Sequence, residues 1–520
     1  MRELPKGWVL ASLGELLQGI ETGKSFKCEE RPPMHDEVGV VKVSAVTWGR
    51  YQELESKTCT DPERVNPALF IAAGDFLFSR ANTIDLVGAC VIAENVRRQI
   101  MLSDKILRFC FTDESHKYWV LNLLRSKAGR KQIEALSSGN QDSMRNIGQE
   151  RIQQIEIPLP PRAEQTRIVG KLEELLSDLD AGVAELKAAQ KKLVQYRQSL
   201  LKAAVEGALT AEWRQHNHPT ETGAQLLERI LAERRGRWEA RQLAKFEAQG
   251  KAPPKDWQKK YPEPVRPDTA DLPELPEGWM WASVDQLSEI QGGIQKQPSR
   301  APVKNKFPFL RVANVARGRL KLDEVHEIEL FSGELDRLTL LAGDVLIVEG
   351  NGSLTEIGRC AVWDGSIKDA VCQNHLIRVR PIGMEGRFLE SWLNSLGGIE
   401  KLTKLAATTS GLYTLSVGKI AKVPVPVPPR VEQCKAIESL AEQLSGLELQ
   451  EQSVGLALKQ SAAQRQNILR TAFSGQLVPQ DPDDEPASRL LERIRSAQQN
   501  HPLSGKRKKP VTRSSKETRC

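Results

Sequence analysis

The sequence predicts an α+β protein arranged as a pseudo-two-fold tandem repeat: two globular domains separated by a pair of long antiparallel α-helices that form a coiled-coil-like spacer. Three observations lead there. Leu4-Pro5-Lys6-Gly7-Trp8 returns as Leu275-Pro276-Glu277-Gly278-Trp279, 271 residues later. Ile157-Pro158-Leu159-Pro160-Pro161-Arg162-Ala163-Glu164-Gln165 returns as Val425-Pro426-Val427-Pro428-Pro429-Arg430-Val431-Glu432-Gln433, 268 residues later. Between these anchors Gly74-Asp75 matches Gly343-Asp344, and Val87-Gly88 matches Ile357-Gly358, so the register of a duplication holds across half the chain. At 520 residues the chain also exceeds what one compact core serves.

Each copy opens with a globular segment, residues 9–156 and 280–423. Short β-branched or aromatic runs punctuated by Gly, Pro and Asp read as strands. They are Gly39 to Trp48, Phe76 to Phe78 and Ile106 to Phe111, then Phe309 to Val315, Val345 to Val348 and Leu376 to Arg380. A helical stretch follows in each copy, Tyr118 to Leu136 and Phe388 to Leu405. The alternate prolines from Pro158 and from Pro424 impose an extended chain and forbid helix before the last of them. They read as a joint at the border of each globule. Pro161 and Pro429 then sit at or near a first helical position, where a missing N–H costs nothing.

Past each border runs the longest helix signal. Ile168, Leu172, Leu175, Leu179, Val183, Leu186, Ala189, Leu193, Tyr196, Leu200 and Ala204 follow steps of three or four, with Gly207 as the stop. Its rod, at about 1.5 Å per residue, is about 66 Å long. The second copy offers Ile437, Leu440, Leu444, Leu447, Val454, Leu458, Ile468 and Ala472, with Gly475 as the stop and Glu451 and Arg465 interrupting the stripe. Two such stripes in one chain bury each other as a coiled-coil-like pair; two separate helices, each lying on its own globule, would also suit them. The interface expected of the pair comprises Ile168, Leu172, Leu179, Leu186, Leu193, Leu200, Leu440, Leu447, Val454 and Ile468. Antiparallel pairing is expected because it relates the two copies by an approximate two-fold axis.

Residues 211–272 link the copies. Leu226-Leu227-Glu228-Arg229-Ile230 recurs as Leu490-Leu491-Glu492-Arg493-Ile494, so a short amphipathic helix is duplicated too. After it the charged, proline-rich linker, with Trp238 and Trp257 interleaved, reads as a mobile strap. The tail from Gly505 carries Lys506, Arg507, Lys508, Lys509, Arg513, Lys516 and Arg519; it reads as a solvated disordered tail or a weak contact to DNA.

No run of about 18 apolar residues exists, so no membrane span is expected. The start, Met-Arg-Glu-Leu-Pro-Lys, has no apolar signal region, which points to a cytoplasmic protein. Eight scattered cysteines without a Cys-x-x-Cys pair fit free thiols in a reducing compartment. The balance of 74 basic against 67 acidic residues is compatible with a polyanionic partner without requiring one.

Catalytic patterns fail one by one. Gly19-Ile20-Glu21-Thr22-Gly23-Lys24-Ser25 has three residues between its glycines where a phosphate loop needs four, and no apolar strand feeds it. Asn66-Pro67-Ala68-Leu69 lacks the second proline and the aromatic with which an adenine methyltransferase stacks on a flipped base. Pro267-Asp268 has no acidic-x-Lys partner at nuclease spacing, and no Gly-x-Ser-x-Gly elbow occurs. His216 and His218 lie in a polar linker without metal-ligand spacing. A non-catalytic binding protein is expected.

The two Leu-Pro-x-Gly-Trp openings and the two Pro-x-Pro-Pro-x-x-Glu-Gln junctions, each leading into a long helix, resemble the specificity (S) subunit of Type I restriction–modification systems. The likeness covers Leu4 to about Ile494, and the duplicated set in this order carries it. The resemblance implies target-recognition domains at residues 1–158 and 273–426, a central conserved helix at 159–210 and a distal one at 427–478. Residues 211–272 would be the linker, and 479–520 a short helix with the basic tail. It implies double-stranded DNA, two methyltransferase (M) subunits and two motor-nuclease (R) subunits as partners. S-adenosylmethionine, ATP and Mg would act in those subunits, with no cofactor held by this chain. A methylation-only complex, or a coiled-coil scaffold binding only proteins, are the alternatives. Two unlike readers on a two-fold frame imply a gapped target with two different half-sites.

Three clusters are candidates for reading bases. The copies diverge most at residues 138–146 against 408–414, where Gln141, Arg145 and Asn146, then Ser410 and Tyr413, offer groups that bond base edges or serve ordinary surface turns. Aligning Gly139 with Gly411 and Ile147 with Leu415 leaves the first loop four residues longer. The second cluster, after the Gly-Asp turn, is Arg80 and Asn82 with Asn351, the two asparagines being equivalent. The third is Arg311, Asn314 and Arg317.

Overall fold

The computed structural model describes residues 4–141, 143–350, 356–406 and 414–500. The chain forms two compact units: residues up to Leu186 together with those from Leu456, and Lys187–Gly455. Each unit holds one globule, and the two share a four-stranded sheet, a three-stranded sheet and a two-stranded ribbon. The first has a four-stranded antiparallel sheet in the order Leu17–Thr22, Ile106–Phe111, Phe76–Ser79, Cys90–Ile92. The second has Ser288–Gly292, Leu376–Pro381, Val345–Val348, Cys360–Val362 in the same order and sense. A smaller mixed sheet accompanies each: Gly39–Val41 between Ser56–Thr58 and Ile100–Met101, and Lys306–Leu310 between His326–Glu329 and Val371–Cys372.

All four residues of both Phe76–Ser79 and Val345–Val348 are buried, as continuous apolar runs require. Phe76 and Phe78 stack on Phe109 at 5.2 and 5.0 Å between ring centres, filling the first core. Two expected strands end early. Gly39 to Trp48 is extended only to Val41, and Phe309 to Val315 only to Leu310; in both the chain then turns through a 3₁₀ segment, Val43–Ala45 or Val312–Asn314.

The helical stretch expected at Tyr118 to Leu136 is made of two helices, His116–Arg125 and Lys127–Leu136, and its counterpart of Gly386–Asn394 and Leu396–Ala406. A serine breaks each. Ser126 and Ser395 are extended, with ψ of 161° and 162°. Each hydroxyl accepts the N–H of the third residue on, Gly129 or Gly398, at 3.2 Å, satisfying a donor at the new helix start. A Cβ on Gly129 would lie 2.2 Å from the Leu123 carbonyl oxygen, and one on Gly398 2.1 Å from that of Trp392, so the tight corner needs glycine.

The proline segments are not joints. Glu156–Leu159 pairs antiparallel with Val9–Ser12, and Pro424–Val427 with Met280–Ser283. Each is half of a two-stranded ribbon, where a strand has a free edge and can lack donors. The ribbon joins the repeated opening to the repeated junction. The Trp8 indole N–H donates to the Glu164 carboxylate at 3.0 Å, and Trp279 to Glu432 at 2.9 Å, both buried. In the first unit the Gln165 side-chain oxygen lies 2.8 Å from Nδ1 of the buried His116; in the second that of Gln433 accepts the Glu385 N–H at 3.0 Å.

The long helices are Arg162–Val205 and Arg430–Phe473, 44 residues each. In the first unit Ile168 and Leu172 share a core with Leu469 and Ala472, and Asp180 pairs with Arg465. In the second, Leu200, Leu201 and Ala204 cluster with Leu440, and Arg197 meets Glu451 at 3.0 Å. The start of one helix meets the end of the other in each unit, so the pair is antiparallel. Glu451 and Arg465, which interrupt the apolar stripe, carry ion pairs between the helices. That register sets Leu179 beside the turn of Arg465. Leu179, Leu186, Leu193, Val454 and Ile468 are half-buried and Leu447 is buried, as a rod of two helices permits. Tyr196 departs from the stripe: it is 52% exposed.

The duplicated short helices dock on the opposite copy. The one following the first long helix packs Leu226, Leu227 and Ile230 into the second globule's core, and Gly223 N–H donates to Gly278 O at 2.7 Å. The one following the second long helix packs Ala487, Leu490 and Ile494 into the first, and Ala487 N–H donates to Gly7 O at 2.9 Å. The strap expected to be mobile is instead laid down on the second globule. Its helix runs Gly223–Ala248, Trp238 stacks on Trp257 at 5.7 Å, Arg234 pairs with Asp285 at 2.8 Å, and Val265 N–H donates to Asp285 at 2.9 Å.

One carboxyl is held against its charge. Glu390, on Gly386–Asn394, accepts the Val362 N–H at 3.1 Å, yet burial pushes its pKa up to about 7, outweighing that bond and the pull of Arg387. A folded pKa above the unfolded 4.5 means its stabilising contribution is complete below 4.5 and is lost as pH rises through about 7. Glu390→Gln is expected to flatten the pH dependence of unfolding between pH 5 and 8, by roughly 3 kcal/mol at most. Parallel urea titrations of variant and parent check this; identical pH profiles would refute the assignment.

Candidate nucleic-acid interface

Two of the three candidate clusters meet on one small sheet. Ser138–Gln141 and Met144–Asn146 form a hairpin, and its second strand pairs antiparallel with Ala81–Asn82, setting Arg145 opposite Asn82 and Asn146 opposite Ala81. Residues some sixty positions apart thus share one surface. The hairpin forms because Gly139 takes φ +134°, where a Cβ would lie 2.4 Å from the Met144 carbonyl oxygen. Ile147 anchors its base: it is buried, and its N–H donates to Arg80 O at 2.9 Å.

The side chains divide the work. Arg145 donates to Gly139 O at 2.7 Å and to Ser137 Oγ at 3.1 and 3.3 Å, bracing its own hairpin. Asn82 accepts the Thr83 N–H at 2.9 Å, a local turn bond. Arg80 is half-buried, and its Nε has no hydrogen-bond partner among the described residues. Gln141 and Asn146 are exposed, as is the hairpin's Met144 at 70%. Gln141 and Asn146 are therefore the exposed amides of this hairpin, and Arg145 braces it.

The second globule keeps the frame. Gly350 bridges Thr414, and Leu415 N–H donates to Glu349 O at 2.7 Å, equivalent to Ile147 and Arg80. Asn351, Ser410 and Tyr413 lie outside the described residues.

In the third cluster Asn314 is committed to its own turn, which removes it as a candidate for reading bases, while Arg311 and Arg317 are half-buried. Asn314 is 3% exposed, accepts the Arg311 N–H at 2.8 Å and donates to Lys321 O and Glu324 O, each at 2.8 Å. Both ends of its amide serve the turn. Arg311 pairs with Glu324 at 3.0 Å. Arg317 donates to the buried Asn394 at 3.3 Å, and burial lowers its pKa. In sequence Asn314 looks like a surface donor because it sits in a polar turn; its amide faces inward.

The residues that sequence reasoning passed over are Trp8, Glu164, Trp279 and Glu432, which fasten each globule to its helix. Their signal was present: each belongs to a duplicated anchor. Burial raises the Glu164 pKa despite the Trp8 bond. Among the described residues no three His, Cys, Asp or Glu side chains gather as a metal set, and no helix is long and apolar enough to cross a membrane.

The family model for the "Type I restriction modification DNA specificity domain" matches residues 5–192. The specificity subunit of the Type I restriction enzyme EcoEI from Escherichia coli is 33% identical over 206 residues, 39% of this chain and 34% of that subunit's length. The EcoKI specificity subunit from Escherichia coli K12 is 24% identical over 514 residues, 95% of this chain and 96% of that one. A chain in a solved structure on "complex assembly and conformational transition of the type I R-M system" superposes with a TM-score of 0.57 at 18% identity, covering 92% of this chain and 100% of that one. That likeness is one of fold.

Proposed function

We propose that this chain, which belongs to the specificity-subunit family of Type I restriction–modification systems, is a non-catalytic subunit that selects the DNA sequence on which partner subunits act. Its target is a gapped, asymmetric site, one half read by each globule. Two M subunits methylate adenine there and two R subunits restrict unmodified DNA; S-adenosylmethionine, ATP and Mg belong to those subunits. The observation that carries the reading is a duplicated frame, two sheets and a ribbon in the same strand order in each globule, on which the copies differ most in sequence at 138–146 against 408–414. Equivalent frames let each reader approach its half-site alike, while unlike loops make the half-sites unlike.

The test is methylation by the purified chain with and without its M subunit. The chain alone is expected to transfer no methyl group from S-adenosylmethionine, and the complex to modify adenines in a gapped, asymmetric motif. Transfer without a partner, or modification of no such motif, would overturn the proposal. Gln141→Ala is expected to cost about 1–3 kcal/mol of discrimination at the first half-site alone. Competition binding against single-base variants reads this, and an unchanged preference would return Gln141 to an ordinary turn.

A further inference from the structure

Glu29 and Thr58 exchange both backbone hydrogen bonds, each at 3.0 Å, across an antiparallel bridge in the first globule. In such a ladder the pair flanking a doubly bonded pair is non-hydrogen-bonded, with Cα atoms about 4.5 Å apart and side chains on one face. On one flank stand Glu30 and Lys57, whose charged groups form an ion pair on one face of the bridge. On the other flank the facing residues are Cys28 and Cys59. A separation of about 4.5 Å lies within the 4.4–6.8 Å that a disulfide spans. Both thiols are free and only half-buried, so a small oxidant reaches them. Cys59 donates its S–H to Asp61 O at 3.3 Å, a weak bond that rotation about χ1 releases. Burial, and then the nearby Cys59, hold the Cys28 thiol above its ordinary pKa.

We propose that Cys28 and Cys59 are a reversible oxidation site, closing a cross-strand disulfide that fastens residues 23–33 to the strand Ser56–Thr58. With hydrogen peroxide as oxidant, the Cys59 thiolate attacks one peroxide oxygen and the O–O bond breaks. Hydroxide leaves, takes a proton and becomes water, and Cys59 becomes a sulfenic acid. The Cys28 sulfur then attacks that of Cys59; the S–S bond forms, the S–O bond breaks, and a second water leaves with the remaining thiol proton. Two thiol hydrogens and two electrons have passed to the peroxide. A dithiol reverses the step by exchange. The site is confined to one reader: the equivalent strand of the second globule, His326–Glu329, contains no cysteine.

The experiment treats the full-length chain with hydrogen peroxide, alkylates the remaining thiols and analyses an unreduced digest by mass spectrometry. The exposed Cys434 serves as an internal reference for oxidant exposure. A Cys28–Cys59 linked peptide is expected, removed by dithiothreitol and absent from Cys28→Ser and from Cys59→Ser. Amide exchange over residues 24–31 should slow at least several-fold in the oxidised protein. Both cysteines alkylated under conditions that oxidise Cys434, or either one linked mainly to another cysteine, would overturn the proposal.

Discussion

Glu432→Ala is expected to destabilise the second unit by about 3–5 kcal/mol, the scale of removing one partner from a buried charged network. Glu432 is 1% exposed. It accepts the Trp279 indole N–H at 2.9 Å and the Thr210 hydroxyl at 2.7 Å, and it pairs with Arg214. Alanine leaves the buried Trp279 N–H without its acceptor and the Arg214 charge without its counterion, although Arg214 and Thr210 keep bonds to Gly207 O. Glutamine keeps an acceptor for Trp279 but not the charge for Arg214, so its cost should fall between. Hydrogen exchange resolved by residue is the appropriate measure, because a chain of two units does not unfold as one. A loss below about 1 kcal/mol would mean that the ribbon, and not the carboxylate, holds the globule to its helix.

A fragment of residues 1–248 is expected to form a symmetric dimer whose target is an interrupted palindrome of the first half-site. It keeps one reader, the whole of Arg162–Val205 and the docking helix Gly223–Ala248. The helix stripe needs a partner, and an isologous pair supplies one. The docking helix matters as much. Gly223 bonds Gly278, and Ala487 bonds Gly7 at the equivalent place. The first docking helix can therefore stand in for the second on its partner's globule. A fragment of residues 1–215 lacks that helix, and its dimer should be the weaker. Sedimentation of a well-folded monomer at micromolar concentration, or selection of an asymmetric site beside the M subunit, would sink this expectation.

How much of this was legible depended on the range of the interaction. The long helices were, because their stripe and glycine stops are local: Arg162–Val205 ends two residues before Gly207, and Arg430–Phe473 two before Gly475. Val345–Val348 matched its apolar run for the same reason. The proline segments were misread because proline rules out helix without saying what lies alongside, and the partner strand Val9–Ser12 is some 150 residues away. The breaks at Ser126 and Ser395 were overlooked although Ser-x-x-Gly is an N-cap signal, since the apolar period runs through them. For the reading edge, sequence divergence found the hairpin, but only its pairing with Ala81–Asn82 joined two clusters into one surface. Asn314 looked like a reader because amide chemistry suits a base edge and a buried turn equally well.

The exchange of docking helices sets an order of events on the ribosome. Domains emerge and fold from the N-terminus, yet the first globule lacks its docking helix until Ala487–Ile494 has been made, after the whole of the second globule. The second globule has its own, Gly223–Ile230, waiting before its first strand appears. The first globule is therefore made before the second and closes after it. Meanwhile the only nascent segment bearing the same Leu-Leu-Glu-Arg-Ile sequence is the one destined for the other globule. A chain that stops short of residue 487 loses stability at its N-terminal end, not its C-terminal one, and a translational pause after the first docking helix gives that wrong pairing time to form.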